Sequence, residues 1–211
     1  MRERNSSNGD RGQAYTLEGF VSAMVVLMAV LFALQSVVIT PTSGGLSDRS
    51  VQAQIQQEAQ DALVVSDQDG NLSETVRNWN TDDPEKFHNA SVPGPDGNRT
   101  YNTTEFADQS RLGGILEQRF ADNGYSYNVE LVYETASNDF DTTYMVYQGA
   151  PSPDAVTASY VVTLYEDDKL TATNPITLQT ADDNSEYEYP IPETTNTELV
   201  HNVVEVRVIV W

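Results

Sequence analysis

Cysteine is absent from the 211-residue chain, and basic residues are scarce. Without thiols, a disulfide framework, a thiolate metal site and a cysteine nucleophile are all excluded. The lysines are Lys86 and Lys169 alone, and the histidines are His88 and His201 alone. One histidine falls in a predicted loop and the other opens a predicted strand, so we expect surface or packing roles for both rather than a shared site.

Motifs that carry catalysis are missing as well. The sequence holds no Gly-x-Ser-x-Gly, no HExxH and no phosphate-binding loop. The acidic run at 67–71 hints at a calcium loop, but no glutamate stands where a twelve-residue EF-hand requires one. We therefore predict that the protein is not an enzyme and has no metal site and no cofactor.

Acidic side chains dominate the composition instead. The chain has 32 Asp and Glu against 11 Lys and Arg, which gives a formal net charge of −21. Such a charge repels nucleic acid and anionic lipid, so neither is an expected partner. The acids are spread through every segment, which is typical of a protein adapted to high salt. An acidic surface for a basic partner is the alternative, and its acids should cluster.

One long apolar run stands near the N-terminus. Residues 20–39 contain no charged side chain, and twenty helical residues span about 30 Å, the thickness of a bilayer core. Pro41 and the Gly44-Gly45 pair are expected to end this helix. We predict a transmembrane helix over 15–40. A secretory signal peptide is the rival interpretation, but its apolar stretch is shorter and a small-x-small cleavage site follows it.

The charges that flank the apolar run predict its orientation. Arg2, Arg4 and Arg11 precede the helix, and basic residues favour the cytoplasmic side of a membrane. We therefore expect a cytoplasmic head or leader over 1–14. The expected localisation is the cell membrane, with a single pass, a cytoplasmic N-terminus and an extracellular C-terminal domain.

Small residues line one side of the predicted helix. At 100° per residue they fall within a sector of about 140°, opposite the bulky apolar side chains. Small residues let helix backbones approach closely, so the stripe predicts association with another helix, either of a second copy or of another subunit. Chance scatter is the alternative. The stripe consists of Gly19, Ser22, Ala23, Ala29, Ala33 and Ser36.

The junction before the helix reads RGQAYTLEGF over residues 11–20. A basic residue, a glycine, a short polar stretch and a glutamate before the apolar run resemble the class III signal of type IV prepilins. The resemblance implies a processing site at Arg11, Gly12 and Gln13, where a membrane-embedded prepilin-type peptidase would cut between the last two. The apolar helix would be retained in the product.

The same resemblance implies a role for Glu18. In pilin-like filaments this glutamate pairs with the N-terminal amine of a neighbouring subunit, because a carboxylate at the edge of hydrocarbon is unfavourable unless it is paired. Glu18 lies six residues past Gly12, one more than the common bacterial spacing. The alternative is that Thr16 caps the helix and Glu18 is an acid favoured in its first turn.

The motifs AYTLE at 14–18 and FALQ at 32–35, with the acidic composition, make the chain similar to a family of uncharacterised haloarchaeal pilin-like membrane proteins. The resemblance implies a high-salt host and a surface location, and it implies no activity. Our leading hypothesis is a pilin-like structural protein, processed after Gly12, that joins a filament or pseudopilus. The alternative is an unprocessed single-pass surface protein whose acidic head binds a partner.

The rest of the chain predicts an α+β fold, with helices first and an antiparallel sheet after them. A juxtamembrane helical segment is expected over 41–80, where Asn71 and Glu74 match a capping box. Residues 81–104 are rich in turn formers and predict a loop, and 105–211 predict an extracellular α+β domain. The elements expected are helices at 47–65 and 105–122, and strands at 125–133, 142–148, 155–165, 169–179 and 199–210. The last strand is the most β-branched and should be central.

Four asparagines on the expected external side match the N-glycosylation sequon. Three of them fall in the predicted loop, where a glycan would be accessible, so the sequence predicts a surface glycoprotein. The four are Asn71, Asn89, Asn98 and Asn102.

Overall fold

A computed structural model describes residues 7–35, 43–68, 70–81, 87–172, 175–183, 189–194 and 199–211. The chain divides into two compact units, Met1–Ser47 and Asp48–Trp211. The predicted class is confirmed, because the chain is α+β with an N-terminal apolar helix, several short helices and antiparallel sheets.

The first unit holds helix α1, Ser7–Gln35. Because α1 begins well before Thr16, the prediction that Thr16 caps the helix is wrong. The stop expected at Gly44-Gly45 is also wrong, since both glycines lie in the first turns of α2, Ser43–Asp67. Glycine disfavours a helix by only about 1 kcal/mol relative to alanine, which neighbouring residues can offset. Pro41 lies outside the described residues.

Apolar side chains of α2 enter the core of the second unit at the predicted spacing. Ala59, Ala62 and Leu63 are buried, Ile55 is half-buried and Val51 is exposed. The helix expected over 47–65 is therefore confirmed and runs on to Asp67. The remaining helices of this unit are α3 Asn71–Val76, α4 Thr103–Gln109, α5 Arg111–Arg119, the 3₁₀ turn Ala121–Asn123, and α6 Leu178–Asp183.

The single helix predicted over 105–122 is wrong, because α4 and α5 are separate helices. Ser110 has an extended backbone between them, with φ −146° and ψ 149°, and its Oγ accepts a hydrogen bond of 2.8 Å from the N–H of Gly113. The apolar pattern is preserved across the break. The side chains that remain buried across it are Phe106, Leu112, Leu116 and Phe120.

Two Asn-x-x-Glu patterns have different outcomes. The capping box predicted for Asn71 and Glu74 is wrong, because Gly70 (φ 73°) is the N-cap of α3 and Asn71 is already its first helical residue. Asn102 and Glu105 form a capping box instead. The Asn102 Oδ1 accepts a 2.8 Å hydrogen bond from the Glu105 N–H, and the Glu105 Oε2 accepts one of 3.1 Å from the Asn102 N–H.

The main sheet has four strands in the order β4-β3-β6-β5, and each neighbouring pair is antiparallel. The β-branched strand β6 lies between β3 and β5, so its predicted central position is confirmed. A separate hairpin of β1 and β2 lies inside 81–104, which is therefore not a loop throughout. The strands are β1 Val92–Pro93, β2 Arg99–Thr100, β3 Tyr127–Glu134, β4 Phe140–Val146, β5 Val156–Tyr165 and β6 Val200–Val210.

The described part of 169–179, which leaves out 173 and 174, does not form the predicted strand. Lys169 and Thr177 make one isolated bridge, and Leu178 begins α6. Pro175 interrupts the run, and proline has no N–H to donate to a sheet. The neighbour of β5 in the sheet is β6, not the segment that follows β5 in sequence.

The core lies against one face of the sheet. Alternate residues of β6 are buried, and they form one cluster with apolar side chains of α2, α3, α4 and α5. Trp79 and Phe87 pack edge to face within this cluster, with ring centroids 4.9 Å apart. The buried residues of β6 are Val204, Val206, Val208 and Val210.

Side chains from α2 cover the first part of the outer edge of β5 and the residues just before it. Gln52, Gln56 and Gln60 donate side-chain hydrogen bonds of 3.3, 3.0 and 3.2 Å to the backbone carbonyls of Asp154, Thr157 and Ser159. These three glutamines, the glutamine row, are four residues apart and so lie on one face of the helix. An edge strand with free carbonyls can pair with another chain, and the glutamine row occupies those acceptors.

Candidate functional site: the apolar helix and its flanks

The apolar part of α1 is Tyr15–Phe32, an 18-residue segment that is long and apolar enough to cross a membrane. At 1.5 Å per residue it measures about 27 Å. Every side chain in it is exposed. Its only charged residue is Glu18, which lies near the N-terminal end. A helix with apolar side chains on all its faces requires an apolar surrounding, whether lipid or other helices.

The predicted processing residues Arg11, Gly12 and Gln13 all lie in the helical backbone of α1. The predicted assembly residues from Glu18 to Ala33 follow on the same helix, so their spacing places them on one side of it. Glu18 and the stripe residues Gly19, Ser22, Ala23 and Ala29 are exposed. Ala33 lies in α1, but its side chain and the whole of Ser36 fall outside the described residues.

The four sequon asparagines have different surroundings. Asn89 is exposed in a left-handed backbone conformation with φ 64°, and Asn102 is exposed at the N-cap of α4. Asn71 and Asn98 are half-buried, and the Nδ2 of Asn98 lies 3.4 Å from the Thr143 Oγ1. Asn89 and Asn102 are therefore the more accessible acceptors for a glycan.

A polar cleft lies between α3 and the junction of α4 with α5. The His88 Nδ1 is shielded from solvent and has no hydrogen-bond partner among the described residues. His201 lies elsewhere, buried at the start of β6. In the part of the chain that the structure describes, no three acidic or histidine side chains converge as a metal site. The cleft is lined in part by Glu74, Asn78, His88, Gln109, Arg111 and Thr171.

A charge cluster lies on the face of the sheet opposite the core. Arg207 donates a 2.8 Å hydrogen bond to Glu205 and lies 3.6 Å from Glu130. Burial raises the pKa of Glu130, and Arg207 offsets part of that effect. A hydrogen bond from Ser159 is the main reason that the pKa of Glu205 is lowered. The cluster joins neighbouring strands β3, β6 and β5, which accounts for it as a structural network.

A family model matches residues 11–210, nearly the whole chain. Its description is a family of unknown function, DUF7288. The chain belongs to this family. No curated protein and no solved structure matches it.

The DUF7288 match includes α1 from Arg11 onward and nearly all of the second unit, Asp48–Trp211, which is the α+β head. The matched region therefore contains the apolar segment, the capping box of α4 and the four-stranded sheet. The matched region begins at Arg11, the first residue of the predicted processing site.

Proposed function

We propose that this DUF7288 protein is a pilin-like structural subunit of the cell surface, processed after Gly12 and held in the membrane by its apolar helix. The observation that carries the proposal is the exposed segment Tyr15–Phe32, which has one carboxylate near its N-terminal end. An apolar helix of this length supports insertion into a bilayer, and its one charge supports pairing with a neighbouring helix.

Glu18 is the residue that links the helix to assembly. A carboxylate in an apolar segment is unfavourable in hydrocarbon without a partner. Among the described residues, no hydrogen bond or ion pair holds Glu18. Cleavage between Gly12 and Gln13 would create an N-terminal amine close to the same level of the membrane, and the amine of a neighbouring subunit would neutralise the carboxylate.

The head is consistent with this role. An antiparallel sheet that follows an N-terminal apolar helix resembles the layout of pilins, an argument from fold analogy. The acids scattered over the chain suit an extracellular surface in high salt, and exposed Asn89 and Asn102 suit a glycoprotein. We place the N-terminus in the cytoplasm because of the arginines before the helix.

One observation favours a second candidate, an unprocessed single-pass surface protein whose acidic head binds a partner. Helix α1 continues without interruption through Gly12 and Gln13. Proteolysis requires local opening of the backbone, so a stable helix at the cut would protect it. In this case the head, not the helix, would carry the function.

Mass spectrometry of the N-terminus separates the two candidates. The pilin-like proposal predicts a mature chain that starts at Gln13, which Gly12→Val abolishes. Gly9→Val is the matched control, since it changes a glycine on the same helix three residues earlier. An intact N-terminus in wild-type cells, unchanged in a strain without the prepilin-type peptidase, would refute processing.

A second experiment tests assembly apart from processing. Glu18→Ala is expected to abolish surface filaments or cross-linked oligomers while membrane insertion and cleavage remain. Thr16→Ala, two residues away on the same helix, should leave assembly intact. Filaments that persist in the Glu18→Ala strain would show that the pairing role is wrong even if the chain is cleaved.

A further inference from the structure

The turn after β5 and the start of β6 bring a buried histidine against a buried carboxylate. The His201 side chain is fully buried, and its Nδ1 lies 3.5 Å from the Oε1 of Glu166. Its other ring nitrogen, Nε2, lies 2.8 Å from the backbone carbonyl oxygen of Ile191. The imidazole thus lies between the turn after β5 and the segment 189–194.

A neutral His201 beside an ionised Glu166 lacks one proton for the contacts that the two side chains make. A carbonyl oxygen only accepts hydrogen bonds, so the His201 Nε2 carries a hydrogen. In a neutral ring, Nδ1 is then a bare acceptor, and it faces a carboxylate that only accepts when ionised. Nδ1 and both oxygens of Glu166 are shielded from solvent and have no hydrogen bond to another described residue. Two buried acceptors in contact are unfavourable unless a proton lies between them.

We propose that His201 and Glu166 share one buried proton and act as a pH-sensitive latch that fastens the turn after β5 to β6. With the proton present, the pair has no net charge, and the two atoms 3.5 Å apart no longer face each other as bare acceptors. Loss of the proton leaves a negative charge buried beside an acceptor, so Glu166 turns toward solvent and the contact opens.

The surroundings favour the protonated pair. Glu193 on the segment 189–194 and Asp182 on α6 add negative potential at Glu166. Burial is the main reason that the pKa of Glu166 is raised, and His201 counteracts part of the effect. The Tyr189 ring also packs near the imidazole, with ring centroids 6.0 Å apart. Burial raises the pKa of Tyr189 too. The charged and titratable groups that face this tyrosine in turn are Arg77, Asp168 and Tyr133.

The direction of the pH effect follows from the raised pKa of Glu166. The folded chain keeps the proton at pH values where an unfolded glutamate, with an ordinary value of 4.5, has released it. The stabilisation from the Glu166 proton is therefore complete below the ordinary pKa of 4.5. It is lost as the pH rises through the higher pKa that Glu166 has in the folded chain. The backbone on both sides of the turn should loosen with it, because the Glu166 N–H donates to Leu199 and the Glu166 carbonyl accepts from Gln179.

Hydrogen exchange of the full chain in detergent micelles tests the latch. In the wild type, the amides over 166–183 should lose protection as the pH is raised. This loss should exceed the faster exchange that base catalysis causes in every segment, which the other segments report at the same pH. Glu166→Gln should remove this extra loss, because an amide donates to Nδ1 without titrating. His88→Gln, the matched control at the other histidine, should keep the wild-type behaviour. Equal pH dependence in wild type and Glu166→Gln would overturn the proposal.

A measurement on the wild type keeps the test independent of folding of the variants. Ring-nitrogen NMR of the two histidines, assigned with His88→Gln, should show His201 with hydrogen on Nε2 throughout and a pH-dependent signal at Nδ1. A hydrogen fixed on Nδ1 with a bare Nε2 would contradict the latch. Loss of protection on addition of EDTA, with recovery on addition of Zn²⁺, would also overturn it, since a metal would then occupy the place of the proton.

Discussion

The side chain of Gln56 donates a 3.0 Å hydrogen bond to the backbone carbonyl of Thr157, and so joins the first long helix of the head to the outer edge of its sheet. Gln52 and Gln60 repeat the contact one turn before and one turn after. Among the described residues β5 pairs with β6 alone in the sheet. Near the start of β5 the glutamine row therefore bonds the backbone carbonyls that a further strand would otherwise pair with.

Replacing the whole glutamine row by alanine should both weaken the head and uncover the edge of β5. We expect the free energy of unfolding to fall by about 1–3 kcal/mol, since each net hydrogen bond contributes about 0.5–1.5 kcal/mol and two of the three are exposed. Urea unfolding of the full chain in detergent measures the loss. Size-exclusion chromatography should show association that grows with concentration. Gln57→Ala, an exposed glutamine on another face of α2, should change neither property.

The two Asn-x-x-Glu patterns show where local sequence stops predicting structure. Asn71 and Asn102 stand in the same four-residue pattern, yet only Asn102 caps a helix. Gly70 adopts a left-handed conformation and starts α3 one residue early, which puts Asn71 inside the helix. The four-residue pattern at 71–74 leaves out Gly70, the residue that decides where α3 begins.

Helices and strands with a regular apolar pattern over many consecutive residues could be predicted from the sequence. Contacts between segments distant in the sequence could not. The spacing of α2 and the β-branched run of β6 could each be predicted from one continuous stretch of sequence, because alternate or helically spaced apolar residues are buried over several positions in a row. Glu166 is one acid among 32, and nothing local indicates that His201 will lie against it. Glu18 could be named as a candidate because it stands just before the apolar run, where the resemblance to prepilins implies a glutamate.

Gly113 is required by the close approach of α4 and α5. A Cβ at this position would lie 2.0 Å from the carbonyl oxygen of Phe106, a backbone atom that cannot move away independently. We expect Gly113→Ala to lower the free energy of unfolding by about 3 kcal/mol or more, because the added methyl group overpacks the core. At the neighbouring Gly114 the nearest atom would be 3.9 Å away. Gly114→Ala should therefore stabilise α5 by about 0.5–1 kcal/mol. Urea midpoints that shift equally in the two variants would contradict this account.

Asn102 is the N-cap of α4 and also the first residue of a sequon, and the two features can be separated. Asn102→Ala removes both the cap and the sequon, and loss of the cap should lower the free energy of unfolding by about 0.5–2 kcal/mol. Thr104→Ala removes the sequon but leaves the capping box with Glu105, so it should unfold at nearly the wild-type urea concentration. Asn71→Ala should have a small effect because Asn71 is not a cap. The measurement uses unglycosylated protein, and equal losses in Asn102→Ala and Thr104→Ala would show that the capping box does not stabilise the head.

Two buried tyrosines differ in how their hydroxyls are satisfied. The Tyr101 hydroxyl donates to the His88 carbonyl at 2.7 Å and accepts from the Asn78 Nδ2 at 3.1 Å. The Tyr127 hydroxyl has no hydrogen-bond partner in the described part of the chain. Tyr101→Phe should lower the free energy of unfolding by about 1–3 kcal/mol, because it leaves the His88 carbonyl unpaired. Tyr127→Phe should be neutral or stabilising by about 1 kcal/mol, since it removes a buried unsatisfied group. Denaturant unfolding at neutral pH distinguishes these outcomes, and a comparable loss in both would refute the distinction.

The same tyrosines predict an alkaline limit to stability. Burial is the main reason that the pKa of Tyr101 and of Tyr127 is raised above the ordinary 10.0 in the folded head. A phenol that holds its proton longer when folded contributes stability that is complete below pH 10 and is lost as the pH rises through the raised value. The wild type should therefore lose stability from about pH 10 upward with a slope set by the tyrosines that ionise on unfolding. Tyr127→Phe removes one of these ionisations without removing a hydrogen bond, so its urea midpoint should fall less steeply over the same range. Parallel curves for wild type and Tyr127→Phe would mean that this hydroxyl already ionises in the folded head.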